Sequence, residues 1–369
     1  MGLMNIAVGG LRFVNLFFRP LKLKNQVAII SRQSDTPTLD IQLLTERLEK
    51  EHIPAVVLTK TMKKSVGGAL SYAVHLLAQM KALATSRVVV VDGYCITVSV
   101  LPHKEGQQVI QMWHALGAIK KFGWQSADRP DGHSREVSEA MHMHQGYDYI
   151  LSPSPVTGKF FAEAFRQPES KLVGMGLPRI DFLRAQDEEK RAAMEADYPA
   201  IIRRPSDLYV PTFRKHAALE LGRLIENFDF TRFNLIIKQH FLDKGDYSWA
   251  REAGAIVDTT YTSLEWLRVA QKVVTDYSAI AFEAAILDRE LYIYQPDVAD
   301  YSENVGLNVH LEQEAIGPYV CRSEKELADK LAQPYDLAAV QAFREKYVAV
   351  PLDDCTGQLC HFIAALLAE

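Results

Sequence analysis

Cysteine is scarce in this 369-residue chain, and acidic residues are missing from its first 34 positions. The four cysteines, Cys95, Cys321, Cys355 and Cys360, form no C-x-x-C pair. That excludes a disulfide-built scaffold and fits a reducing compartment. No uninterrupted apolar run reaches the roughly 18 residues a spanning helix needs. Positive charge is not in excess either: 41 Lys and Arg face 46 Asp and Glu, for a net charge of -5. A surface that binds nucleic acid throughout is thereby excluded. No Walker loop, no G-x-G-x-x-G and no G-x-S-x-G elbow occurs, which speaks against an NTPase, a dinucleotide enzyme and a serine hydrolase. D-x-D is absent as well, and with it the acidic metal clamp of many nucleotide-sugar transferases. His142 and His144 stand two apart without a Cys/His cluster around them, so no zinc site is expected. Neither a cofactor nor a resident metal is called for.

What is present is an ordinary globular composition, 48% apolar and 24% charged, at a length that suits two α/β domains. Short β-branched runs alternate with helical patterns. Val27–Ile30, Ala55–Leu58, Val88–Val91, Val109–Trp113 and Tyr149–Leu151 read as strands, with helices over Leu39–Lys50 and Val66–Ala84. A charged stretch, Asp187–Asp197, followed by Pro199 and Pro205, marks a boundary. Beyond it the alternation restarts with strands at Leu208–Pro211, Leu235–Lys238, Lys272–Thr275 and Leu291–Tyr294, and a last helix lies near Gln358–Leu367. The expected fold is α/β: two doubly wound, Rossmann-like domains facing a cleft, of the GT-B type, over residues 25–190 and 200–369.

Residues 1–24 form a separate expectation. Asn5, Arg12, Asn15 and Arg19 share one helical face, while Leu3, Ile6, Leu11, Phe13, Val14, Leu16, Phe17 and Phe18 cover the rest. Arg12, Arg19, Lys22 and Lys24 supply positive charge within and after the apolar part, the reverse of a signal peptide. The pattern is that of an amphipathic segment on an anionic membrane surface. The alternative is a helix that packs on the domain core.

Ligands of open parallel sheets bind beyond the carboxyl ends of strands, so residues directly after each strand carry the candidates. The first series is Trp113-His114-Ala115-Leu116-Gly117-Ala118-Ile119-Lys120-Lys121. Imidazole accepts a proton near neutral pH, and backbone amides around Gly117 with Lys120 and Lys121 suit a phosphate; a strand-end histidine can also be structural. In the second domain, Lys238-Gln239-His240 repeats the strand-end histidine. Pro211-Thr212-Phe213-Arg214-Lys215 ends a strand in a basic pair, and Arg214 either holds a phosphate bidentately or is a plain surface arginine. Thr275-Asp276-Tyr277-Ser278 precedes a helix and reads either as an anion site or as an ordinary cap. Ser31-Arg32-Gln33-Ser34-Asp35 follows the first strand and reads equally as a polar turn.

W-H-A-x-G-A-x-K-K-F-G, G-L-P-R-I-D (Gly176 to Asp181), P-T-F-R, K-Q-H and T-D-Y-S together resemble the CDP-glycerol glycerophosphotransferases of teichoic acid synthesis. The resemblance runs from about Ser31 to the carboxyl terminus. Ser31-Arg32-Gln33-Ser34, Asp92-Gly93-Tyr94-Cys95 and Ala115 after the histidine are most similar to the primase branch. The resemblance implies a catalytic pair, His114 and His240, and a second domain that holds CDP-glycerol near Thr275, Asp276 and Ser278. Thr212, Arg214, Lys238, Tyr277 and Glu283 complete the expected substrate-binding set with Gly117, Lys120 and Lys121. Phe241, Ala279 and Glu283 depart from the residues common in the family.

The implied partners are CDP-glycerol, an undecaprenyl-diphosphate-linked disaccharide and an anionic membrane surface, with no nucleic acid, at the cytoplasmic face of the cell membrane. The implied chemistry is attack of a sugar hydroxyl on the β-phosphorus with CMP leaving. His114 would act as base, a role worth on the order of 10²–10⁴ in rate. His240, Arg214 and the helix after Ser278 would steady the diphosphate charge. Rival readings are a polyol-phosphate polymerase using CDP-glycerol or CDP-ribitol, a GT-B sugar transferase, and a non-catalytic membrane scaffold.

Overall fold

The computed structural model describes residues 2–63, 65–212, 222–226, 228–239 and 245–369. The chain divides into two compact units. The first comprises Met1–Asp181 with Asn304–Gly306 and Ala349–Glu369; the second comprises Phe182–Glu303 and Leu307–Val348.

The first unit is built on six strands: β1 (Lys24–Ser31), β2 (Ala55–Thr59), β3 (Ser86–Val91), β4 (Gln108–Gln111), β5 (Tyr149–Ser152) and β6 (Leu172–Gly174). Their order is β2-β1-β3-β4-β5-β6, and every neighbouring pair is parallel. Val27 to Ile30 and Val88 to Val91 are buried without alternation, because helices cover both faces of the sheet. The helix Leu39–Lys50 turns Ile41, Leu44 and Leu48 inward at spacings of three and four. The strand order reverses direction between β1 and β3, which places a topological switch point at their carboxyl ends.

The second unit repeats the plan with β7 (Ser206–Tyr209), β8 (Asn234–Lys238), β9 (Ile256–Asp258), β10 (Lys272–Thr275), β11 (Glu290–Tyr294) and β12 (Val320–Cys321). The order is β12-β11-β10-β7-β8-β9, again parallel throughout. This is the strand order of the doubly wound dinucleotide-binding fold, with its switch point between β7 and β10.

Three strands escape the sequence pattern, β6, β9 and β12. All three are sheet edges of three residues or fewer, too short to leave a periodic signal. The carboxyl-terminal helix Cys355–Ala368 also departs from expectation. It belongs to the first unit rather than to a domain spanning 200–369, and it packs on the helix Leu39–Lys50 and on β3. Asp181 anchors it: its carboxylate accepts from the Cys355 and Thr356 N–H groups at 2.8 and 2.7 Å and from the Thr356 hydroxyl at 2.5 Å. Gly176 makes room for this docking, since a Cβ there would lie 2.7 Å from the Cys355 sulfur.

Residues Gly2–Asn15 form a helix that packs on the first unit along one face and leaves apolar side chains exposed along another. Val8 is buried, and Leu11, Val14 and Phe18 pack on the core of the first unit. Arg12 turns inward, donating from Nε to the Val100 carbonyl at 3.0 Å. Ile6, Phe13, Leu16 and Phe17 stay exposed, Phe17 at 73%. No helix among the described residues is long and apolar enough to cross a membrane.

Candidate functional site

In the first unit the switch point gathers side chains from β1, β3 and β4. His114 lies three residues past β4. Its Nδ1 is 2.7 Å from the Asp92 backbone carbonyl, which can only accept, so Nδ1 carries the proton and the neutral ring keeps a bare lone pair on Nε2. The Gln33 amide sits 3.2 Å from the same Nδ1 and shares that proton when its oxygen faces inward. Gly93 is needed for this approach: a Cβ there would stand 2.9 Å from Gln33 Nε2.

Burial pushes the His114 imidazole down to about 4, with the Arg179 and Lys120 charges acting the same way and the Asp92 hydrogen bond and Asp40 opposing. At neutral pH the ring is therefore uncharged, the form a general base requires. Asp92 has a buried carboxyl group. Ser31 Oγ donates to its Oδ2 at 2.7 Å, while Oδ1 has no hydrogen-bond partner among the described residues. Burial raises this carboxyl to about 6.

The loop that carries His114 is fixed from two sides. Behind it, Trp113 adopts a left-handed backbone with φ +63, a conformation uncommon for a bulky residue. The buried Gln111 side chain holds that turn, accepting from the Trp113 N–H at 2.9 Å and donating to the Gly93 carbonyl at 3.1 Å. The Trp113 ring stacks on Phe122 at 4.7 Å and lies 4.1 Å from the His114 ring. On the other side, Arg179 Nη2 donates to the His114 carbonyl at 2.9 Å. Arg179 is itself gripped by Asp40, with Nη2–Oδ2 at 2.5 Å, Nε–Oδ2 at 2.9 Å and the Arg179 N–H on Oδ1 at 2.8 Å. Asp40 is 1% exposed, so the pair is buried; both guanidinium donors converge on Oδ2 and the backbone N–H takes Oδ1, and every one of these bonds is charge-assisted. The G-L-P-R-I-D run is thus a bracket: Arg179 holds the histidine loop and Asp181 holds the terminal helix.

Gly117 is buried and Lys120 and Lys121 are half-buried in the same loop, and the Lys121 N–H donates to the Gly306 carbonyl at 2.9 Å.

In the second unit the switch point collects Thr212, Thr275, Asp276 and Tyr277. The Asp276 carboxylate accepts from the Thr212 N–H at 2.9 and 3.0 Å and from the Tyr277 N–H at 2.6 Å, which ties the loop after β7 to the loop after β10. Thr275 Oγ1 donates to the Val210 carbonyl at 2.7 Å. Tyr277 is buried, donates to Asp297 at 3.0 Å and stacks on Tyr301 at 3.7 Å. Ser278 accepts from the Ile280 N–H at 3.4 Å at the start of the helix Ile280–Ile286, whose Glu283 is 2% exposed. Lys238 stands apart from this group: its ammonium is 3.5 Å from the buried Asp258 carboxylate. His240 and Arg214, with Phe241, Phe213 and Lys215, lie outside the described residues.

The sequence reading named His114 but assigned no role to Asp40, Asp92, Gln111 or Arg179. Asp92 and Gln33 follow the two strands that flank the switch point, and that position is the signal that marks them. Asp40 and Gln111 leave no such mark, because their partners are 139 and two to 18 residues away in the chain.

Two parallel-sheet units, each with its motif residues gathered at the carboxyl ends of the strands, define a GT-B-like α/β fold of the kind used by transferases. Residues 12–363 match the model of the family described as CDP-Glycerol:Poly(glycerophosphate) glycerophosphotransferase, and the chain belongs to that family. Among characterised relatives it is 26% identical over 365 residues to a teichoic acid ribitol-phosphate primase of Bacillus spizizenii, covering 94% of this chain and 92% of that one. It is 24% identical over 302 residues to a teichoic acid glycerol-phosphate primase of Bacillus subtilis, covering 80% and 78%. The solved structure of the wall teichoic acid polymerase TagF shares its fold at a TM-score of 0.75 and 18% identity, over 99% of this chain and 96% of that one.

Proposed function

We propose that this chain is a teichoic acid primase, transferring one glycerol phosphate from CDP-glycerol to the N-acetylmannosaminyl sugar of an undecaprenyl-diphosphate-linked disaccharide and releasing CMP. The observation that carries the reading is the state of His114: Nδ1 pinned on the Asp92 carbonyl, Nε2 bare, the ring neutral. The acceptor hydroxyl gives its proton to Nε2 as its oxygen bonds to the β-phosphorus. The bond from that phosphorus to the bridging oxygen breaks, and CMP leaves with the electron pair. Lys120, Lys121, Arg214 and His240 are the groups assigned to the diphosphate charge, and Thr212 to Ser278 the loops assigned to the donor.

Primase rather than polymerase is supported by the residues themselves: Ser31-Arg32-Gln33-Ser34, Asp92-Gly93-Tyr94-Cys95 and Ala115 after the histidine are most similar to the primase branch. A second reading keeps the single transfer but takes CDP-ribitol as donor, favoured by the 26% identity to a ribitol-phosphate primase.

The test is incubation with a lipid-linked disaccharide analogue and excess CDP-glycerol or CDP-ribitol, read by product mass. A single increment of one glycerol phosphate is expected. A ladder of increments would refute the primase assignment, and an increment only from CDP-ribitol would correct the donor. His114→Ala should abolish transfer while leaving donor affinity within a few-fold.

The same proposal places the enzyme at the cytoplasmic face of the membrane as a peripheral protein. Exposed Ile6, Phe13, Leu16 and Phe17, followed by Arg19, Lys22 and Lys24 with no acid before Asp35, support that placement. Serine at Phe13 and Phe17 should release the protein from anionic vesicles without altering its thermal transition. Unchanged co-sedimentation would remove the anchor.

A further inference from the structure

At the end of the first sheet opposite the histidine, where β1, β3 and β4 begin, the structure has a cavity of about 580 Å³. Its polar lining includes Arg19, Lys22, Lys104, Asn15 and Glu105. Three cations face one carboxylate, and none of Arg19, Lys22 and Lys104 forms an ion pair among the described residues. Lys104 donates to the carbonyls of Leu21 and, at 2.6 Å, of Ala84, which leaves a third ammonium proton uncommitted. Burial lowers its pKa. Asn15 gives an independent sign. It is 6% exposed, lines the cavity, and its side-chain amide makes no hydrogen bond among the described residues. An amide so placed has its donor and acceptor capacity open to whatever enters the cavity, water or ligand.

We infer that this cavity is a binding site for a phosphate ester, with the oxyanion held by Lys104, Arg19 and Lys22 and an ester or hydroxyl oxygen taken by the Asn15 amide. The turn that supplies Arg19 and Leu21 to the cavity also exposes Leu16 and Phe17. A phosphate bound there can therefore belong to an anionic lipid whose chains meet those side chains, or to a free phosphate ester. The lipid source rests on the membrane placement proposed above; the cavity itself does not. The site is separate from His114, because the two lie at opposite ends of the same parallel strands.

The experiment has two arms, run on the full-length protein. In the first, thermal transitions are compared in sn-glycerol 1-phosphate and in chloride at matched ionic strength. The ester should stabilise the wild type and His114→Gln alike, and the shift should largely vanish in Lys104→Gln and Arg19→Gln. Arg19 is exposed and makes no side-chain bond among the described residues, so its variant stays informative if loss of the Lys104 contacts impairs folding. In the second arm, binding is measured to phosphatidylcholine vesicles with and without phosphatidylglycerol. Arg19→Gln and Lys104→Gln should each lose more than the roughly fivefold that one surface charge contributes, while Lys50→Gln, outside the cavity, should change little. A wild-type shift with sn-glycerol 1-phosphate but no preference for phosphatidylglycerol would assign the site to a free phosphate ester and remove the membrane reading. Absence of that shift in the wild type, or its persistence in both cavity variants, would overturn the site whatever the vesicles show.

Discussion

The neutral state of His114 has a direct kinetic consequence. Moving an imidazole from its ordinary 6.5 to about 4 corresponds to about 3 kcal/mol in favour of the uncharged ring. In its proposed role as base, the ring is competent above its folded-state pKa and loses that competence as pH falls through it. At about pH 5.5 an ordinary histidine would be only about 9% neutral, whereas one with a pKa near 4 is about 97% neutral. The acid limb of kcat/KM, which reports the free enzyme, should therefore stay nearly flat from neutrality down to about pH 5.5, reach half its plateau near pH 4 and approach unit slope only below about pH 3. In the donor complex two extra negative charges favour the imidazolium, so the limb of kcat should lie at higher pH than that of kcat/KM. Arg179→Gln removes one of the cations that depress the ring and should move the kcat/KM limb upward. The assay is initial-rate transfer to a water-soluble acceptor across buffers of constant ionic strength, with stability checked at each pH. A tenfold fall in kcat/KM between neutrality and about pH 5.5 would refute the burial argument, and activity that rises as the ring protonates would refute its role as base.

Three further outcomes follow from particular contacts. Asp40→Asn breaks a buried ion pair with Arg179 and should cost about 3–5 kcal/mol in urea unfolding; a change below about 1 kcal/mol would show that the pair is not holding the loop. Gly93→Ala brings a methyl to 2.9 Å from Gln33 Nε2 and should lower kcat several-fold with little change in donor affinity, measured by steady-state kinetics and calorimetry. Asp276→Asn weakens the bridge between the Thr212 and Tyr277 amides and should reduce affinity for the CDP-linked donor about tenfold or more, read by calorimetry, while the His114 pH profile keeps its shape.

Much of this molecule was legible in the sequence because its signals are local. Nine strands, each a β-branched or apolar run, lie where the pattern puts them, since a strand buried on both faces must be apolar along its length. The helix Leu39–Lys50 was legible from spacing alone. His114, Gly117, Lys120 and Lys121 could be singled out because ligand loops follow the strands of a parallel sheet.

What only the tertiary structure decided depends on residues far apart in the chain. The sequence offers Asp40 as one of several acids in a helix and Arg179 as one member of a motif; only folding brings them to 2.5 Å and turns Arg179 onto the His114 carbonyl. The tautomer of His114 comes from a backbone carbonyl 22 residues away, and a carbonyl leaves no trace in residue identity. The carboxyl-terminal helix carries no mark of which sheet it will cover, and it returns to the first unit because Asp181 there caps its first turn. The amino-terminal helix could be read as amphipathic, yet which face meets the protein was fixed by the Arg12 bond to Val100 and by the burial of Val8. Periodicity reports that a helix has two faces, but the shape of the surface it meets selects between them.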